Sequence, residues 1–225
     1  LVAAGAPLGL GARAATLFPR APRGDRPRPF RLVVEKRTVE GRFLGYGPIE
    51  ALELEDGERV RTAYRFPVAG RRYAYYDEAG RPLRKRRLPP PVLDATLTSR
   101  FGRRRHPIRR RWRFHRGVDY GASRGEPVYA VATGTVASAG YKRGLGRTVA
   151  LGHARGLVTR YAHLRRIAAG LVRGDVVHAG DLLGFVGSSG MSTGPHLHFE
   201  TIVRGRHVNP LRYRPPAPPA LDAAG

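Results

Sequence analysis

Four of the chain's eight histidines and one aspartate fall into three short motifs whose residue types suit metal chemistry. The motifs are His115-Arg116-Gly117-Val118-Asp119, Thr159-Arg160-Tyr161-Ala162-His163-Leu164 and Pro195-His196-Leu197-His198-Phe199-Glu200. On a strand, residues i and i+2 point to one face, so His196 and His198 would stand side by side. Such a pair suits two metal ligands, or one ligand beside a base. His115 and Asp119 add an imidazole and a carboxylate, with Gly117 between them to let the backbone bend so that both side chains converge. Two histidines and a carboxylate with a fourth position open form the ligand set of catalytic rather than structural zinc. The chain has no cysteine, so thiolate ligation and disulfides are excluded and any metal must take nitrogen and oxygen donors.

These residues need rigid elements to hold them, and the surrounding sequence supplies strands. Short runs punctuated by glycine follow Pro89-Pro90-Pro91: EPVYAVATGTVASAG, RTVALGH, GLVTRYAHL, DVVHAG, DLLGFVG and HLHFETIVRG. They lack convincing helical periodicity and predict a mainly β domain, an antiparallel sandwich or open barrel, over residues 89–214. A Gly/Ser segment, Ser188 to Gly194, precedes the His-x-His strand as a flexible loop. Residues 30–88 carry a second set of β-leaning runs, with turns at Gly41, Asp56-Gly57 and Ala79-Gly80, and predict a small antiparallel domain. Residues 1–29 combine a small, apolar start with a Pro/Arg-rich linker, and residues 215–225 form a Pro/Ala tail expected to be disordered. The stretch 1–18 is expected to be the remnant of a signal peptide or membrane anchor, which would place the protein outside the cytoplasm, in the periplasm or cell envelope.

With 225 residues, 41% of them hydrophobic, the chain can bury one large core or two small ones. Its formal net charge is +24, and only three of its 41 basic residues are lysine. Such a chain is drawn to polyanions, anionic envelope polymers among them. No nucleic-acid module is present and aromatics do not alternate with basic residues in a stacking pattern, so specific nucleic-acid binding is not expected.

From Ala95 to Tyr213 the sequence resembles the LytM/lysostaphin-type peptidases, the M23 metallopeptidases. The matching pieces are TSRFG (98–102), RRHPI (104–108), HRGVD (115–119), GEPVYAVATGTV (125–136), TRYAHL (159–164), GDLLGFVGSSGMSTGPHLHFE (180–200) and VNPLRY (208–213). RRHPI and the upstream YYDEAGRPLRK (75–85) look most like the Gram-negative murein D,D-endopeptidase branch, whose members carry a small β domain ahead of the catalytic one. The resemblance implies one zinc ion held by His115, Asp119 and His198, with His163 and His196 as catalytic histidines. It implies an endopeptidase acting on cross-links or stem peptides of bacterial peptidoglycan, working as a monomer. The alternative it carries is a silent regulator of another wall hydrolase, but none of the five positions departs from the active pattern. Nine arginines and no acid occupy residues 100–116. Arginine forks pair with carboxylates, so Arg103, Arg104, Arg105 and Arg113 are candidate contacts for the carboxylates of a stem peptide. His106, His153, His178 and His207 lie outside the motifs and are assigned to surface or structural roles.

Overall fold

The computed structural model describes residues 10, 11, 14, 17, 18, 29–56, 59–68, 71–83, 87–93, 95–105, 112–216 and 221; within its strands the side chains of residues 37, 39, 42–45, 56, 68, 71, 72, 104, 105, 112 and 113 are outside the description. The chain divides into two compact units, Leu1–Arg86 with Pro215–Gly225, and Arg87–Arg214.

In the first unit, β1 (Phe30–Val39), β2 (Arg42–Asp56), β3 (Arg59–Val68) and β4 (Arg71–Tyr76) form an antiparallel meander in sequence order. Val39 pairs with Arg42, so Glu40 and Gly41 alone make the first turn. Both have positive φ, 49° and 76°, the twist that a two-residue hairpin requires. Leu52 and Leu54 alternate inward along β2 and meet Ile49, Ala63, Ala14, Leu17 and Phe18 in one buried cluster. Residues 10, 11, 14 and 17, in the segment read as an apolar remnant, are helical. Leu221, in the segment read as a tail, donates its N–H to the Gly80 carbonyl at 3.1 Å. Among the described residues no helix is long and apolar enough to cross a membrane.

The second unit is built almost wholly of strands: β5 (Thr96–Ser99), β6 (Gly102–Arg105), β7 (Trp112–His115), β8 (Val118–Gly121), β9 (Pro127–Tyr129), β10 (Gly134–Lys142), β11 (Gly146–Gly152), β12 (Leu157–Leu164), β13 (Arg166–Ile167), β14 (Val176–Val177), β15 (Leu182–Phe185), β16 (His196–Val203) and β17 (Arg206–Val208). The main sheet runs β14-β10-β11-β12-β16-β8-β5, with β17 added to β16; β13-β15-β9 and the β6–β7 hairpin stand apart from it. Among the described residues these antiparallel sheets are open rather than closed into a barrel, within the mainly β architecture that the sequence predicts. Sixteen buried side chains, including Val118, Leu151, Tyr161, Leu164, Leu183, Leu197 and Phe199, make one core.

The register of three central strands decides where the motifs meet. Ala162 of β12 pairs with His198 of β16, which pairs with Asp119 of β8, which pairs with Ser99 of β5. One step along, Tyr161, Phe199 and Val118 form the adjacent row. Because alternate residues face opposite sides of a sheet, this second row points into the core, where none of the three exceeds 1% exposure. Burying side chains of this size stabilises by about 1.5–3 kcal/mol each. A slip of one residue would turn them outward.

Candidate metal centre

Asp119 reaches the centre from β8 and His198 from β16, while the β6–β7 hairpin delivers His115 at its last residue, opposite Gly102. All three are buried, and their donor atoms converge. Asp119 Oδ1 lies 2.8 Å from His198 Nδ1 and 3.1 Å from His115 Nε2, and the two nitrogens are 3.1 Å apart.

The remaining nitrogen of each ring settles which atoms face inward. His115 Nδ1 lies 2.8 Å from the Arg100 carbonyl, an acceptor only, so it carries the proton and leaves a lone pair on Nε2. His198 Nε2 lies 3.2 Å from the Glu200 carboxylate, which leaves Nδ1 as the inward lone pair. With these tautomers two nitrogen lone pairs and a carboxylate oxygen converge on one point, an arrangement that suits a metal cation. Donor separations of 2.8–3.1 Å sit close to the ~3.3 Å between ligands about 2.0–2.1 Å from a tetrahedral zinc ion. The donor set fits such a metal. Burial opposes the charge on Asp119, yet its pairing with the His115 and His198 rings holds its carboxyl far below the usual range, so the centre keeps an anionic ligand. Burial likewise disfavours a charged His198, but Asp119 and Glu200 overcome it and raise its pKa, so a metal bound at Nδ1 would displace a proton there.

His163 and His196 flank this trio. His163 is the penultimate residue of β12 and takes a left-handed φ of 62°. Its Nδ1–H donates to the Ser189 carbonyl at 2.8 Å. His196 Nδ1–H donates to the Gly194 carbonyl at 2.9 Å, with Ser192 Oγ 3.3 Å away. Both rings thus carry their lone pair on Nε2, and that of His196 lies 4.0 Å from Asp119 Oδ1. The His163 and His196 rings are 4.8 Å apart between centroids. Burial pushes His163 down to about 4 against the opposing hydrogen bond to Ser189, so its ring is neutral at physiological pH.

The loop between β15 and β16 differs from the flexible segment the sequence suggested. Ser189 Oγ donates to the Leu164 carbonyl at 2.7 Å and accepts the Arg147 N–H at 2.9 Å; Met191 N–H donates to Gly144. Gly146 and Gly190 pack so closely here that a Cβ on either would overlap the facing backbone. Gly117 also acts differently from the bend that spacing suggested. It takes no positive φ, but a Cβ there would collide with the Phe199 carbonyl and stand 2.9 Å from the His198 ring. Close approach between strands is what requires glycine at this position.

The structure thus brings together His115, Asp119, His163, His196 and His198. Arg103 lies exposed on β6, opposite Phe114; the side chains of Arg104, Arg105 and Arg113 lie outside the described residues, as does His106. Glu200 was not singled out from sequence. It is 3% exposed and takes hydrogen bonds from His198, Arg160 and His207, which hold its carboxyl down to about 2 despite its burial. The signal was available: Glu200 continues the alternation of His196 and His198 on one strand face. His153 is tied to the Thr133 carbonyl and Thr159 Oγ1, each at 2.8 Å, a structural role as expected.

Residues 113–210 match the model of peptidase family M23. The DD-carboxypeptidase/endopeptidase Mpg of Neisseria meningitidis serogroup B is 39% identical over 200 residues, 86% of this chain and 45% of that protein. The peptidoglycan DD-endopeptidase ShyC of Vibrio cholerae is 36% identical over 183 residues, 80% of this chain and 41% of that protein. The chain therefore spans less than half the length of these relatives. Among solved structures, a zinc-containing peptidase from Vibrio cholerae aligns with a TM-score of 0.54 and 27% identity, over 94% of this chain and 65% of that one.

Proposed function

This chain belongs to peptidase family M23, and from that premise we propose that it is a zinc-dependent endopeptidase that hydrolyses peptide links of bacterial peptidoglycan. His115 Nε2, Asp119 Oδ1 and His198 Nδ1 hold the metal. When bound, zinc supplies Lewis acidity, lowering the pKa of a water towards about 7 and polarising the scissile carbonyl.

The chain's own residues supply the proton handling. His196, fixed by Gly194 with its lone pair on Nε2 and set 4.0 Å from Asp119, accepts a proton from the attacking water. As the C–O bond forms and the C–N bond breaks, His196 returns that proton to the leaving amine. His163, fixed by Ser189 in the same tautomer, has no Nε2 proton to donate while neutral. It therefore orients the water by accepting its second hydrogen rather than stabilising the developing negative charge. Arg103, exposed on the hairpin that ends at His115, is a contact for a stem-peptide carboxylate, together with Arg104, Arg105 and Arg113.

The observation that carries this function is the common tautomer of His163 and His196, both presenting an unprotonated nitrogen beside the ligand trio. A silent regulator would need neither the ligand trio nor the flanking histidines, and this site holds both. The names of the relatives, peptidoglycan DD-endopeptidase among them, support a cross-link as the bond cut. That substrate implies an exported protein acting in the cell envelope. Digestion of purified peptidoglycan with product mass analysis, with and without chelator, tests the proposal. Chelator-sensitive release of uncross-linked muropeptides is expected; intact cross-links after treatment with metal-loaded protein would overturn it.

A further inference from the structure

Glu200 is buried on the same strand face as His198, since i and i+2 share a side of β16. Its two carboxylate oxygens are used differently. Oε1 accepts from His198 Nε2 at 3.2 Å. Oε2 accepts from Arg160 Nη1 at 2.6 Å and lies 3.3 Å from His207 Nε2. Arg160 is the cross-strand partner of Glu200 on β12, and His207 reaches it from β17 at the other side of β16. Donors on both neighbouring strands thus grip one oxygen and set the plane of the carboxylate, leaving the other aimed at the ring.

We propose that Glu200, clamped by Arg160 and His207, is the positioning residue of the metal centre: it holds His198 in the orientation that turns Nδ1, not Nε2, towards Asp119 and His115. This rests on the metal assignment of that centre. Stability alone gives little reason for such a group, because a buried ion pair roughly breaks even against well-packed apolar residues. Orientation does give one: partners of ligating histidines fix both ring tautomer and ligand basicity, and losing them weakens metal affinity by about 10–100-fold. The contrast within the site points the same way. His115 is fixed by a main-chain carbonyl, which no substitution of its own residue removes, whereas His198 depends on a side chain.

The decisive experiment measures zinc affinity of the purified full chain by competition with a chromophoric chelator, beside the unfolding midpoint of the metal-free protein. In Glu200→Gln a single amide oxygen faces donors on both sides and can serve only one of them. Zinc affinity should fall about 10–100-fold, with a folded metal-free protein. His207→Leu, at a partly exposed position, keeps the carboxylate but frees one side of it, and zinc affinity should fall by a smaller factor in the same direction. Wild-type zinc affinity in Glu200→Gln, with only the unfolding midpoint lowered, would make Glu200 a fold residue and overturn the proposal. Should Glu200→Gln not fold, unchanged affinity in His207→Leu and Arg160→Met together would overturn it equally. A wild-type chain that binds no zinc would instead remove the metal assignment itself, so the two failures are distinguishable.

Discussion

The two halves of the centre are held by different means. His198 and Asp119 stand on adjacent strands, aligned by register and backed by the Tyr161–Phe199–Val118 row on the other face of the sheet. His163 and His196 are aligned instead by carbonyls of the 188–194 loop, and His163 adopts a left-handed φ at the end of its strand. Ligands must converge to within a few tenths of an ångström, and a sheet provides that rigidity. The other pair must meet a substrate, and loop carbonyls set a tautomer without walling off the ring. Metal retention and turnover should therefore be separable by mutation.

The largest effect tests that separation directly. Asp119→Ala or His115→Ala should abolish zinc binding, measured by metal analysis after desalting, and hydrolysis with it. His196→Ala should keep near-stoichiometric zinc while turnover of muropeptide substrates falls about 10²–10⁴-fold. Loss of zinc from His196→Ala as complete as that from Asp119→Ala would collapse the distinction between the halves. Gly117→Ala should come next: overlap with Phe199 and His198 is expected to cost about 1–3 kcal/mol in denaturant unfolding and to weaken zinc binding. Smaller still, Ser189→Ala removes the hydroxyl between Leu164 and Arg147 and should cost about 1 kcal/mol. Its turnover should fall more than its zinc affinity, since the loop orients His163 and not the ligands.

The smallest expected effect concerns a histidine outside the centre and serves as its control. Burial lowers the pKa of His153, against the raising effect of its bond to Thr133. The unfolded chain then takes up a proton near the ordinary value of about 6.5 that the folded chain refuses, so stability is lost as pH falls through that value towards the depressed one. Above it the group contributes no pH dependence. Unfolding midpoints followed downward from about pH 8 should decline less steeply in His153→Gln than in wild type, while zinc content at neutral pH stays unchanged. An equal slope in both would show that another group carries the acid sensitivity.

Much of the centre was legible because its residue types are costly to place by chance. His115, Asp119, His163, His196 and His198 stand in short motifs, and strand alternation already put His196 and His198 on one face. The supports were harder to see. The carbonyls of Arg100, Ser189 and Gly194 fix three of the four rings, and every residue has a carbonyl, so sequence gives them no mark. Gly117 was noticed for the wrong property: one-dimensional spacing suggests a bend, but the constraint comes from Phe199 and His198, more than 80 positions away. Glu200 was hidden by the general expectation that glutamates face water. Only the approach of Arg160 and His207 from flanking strands shows what it holds. The glycine-marked turn at Gly41 needed no such context, since a two-residue hairpin demands its backbone conformation locally.

The alternation of β16 has a consequence for how such a sheet can fail. His198 and Phe199 are consecutive, so the choice of which residue faces the metal is also the choice of which faces the core. A mispaired strand would present phenylalanine to the ligands and histidine to the hydrocarbon interior, two errors from one displacement. The same apolar contacts that fold the sheet thereby proofread its chemistry. A molecule that has found its core has, on these strands, already assembled its ligands, and one inserted residue in β16 would forfeit both at once.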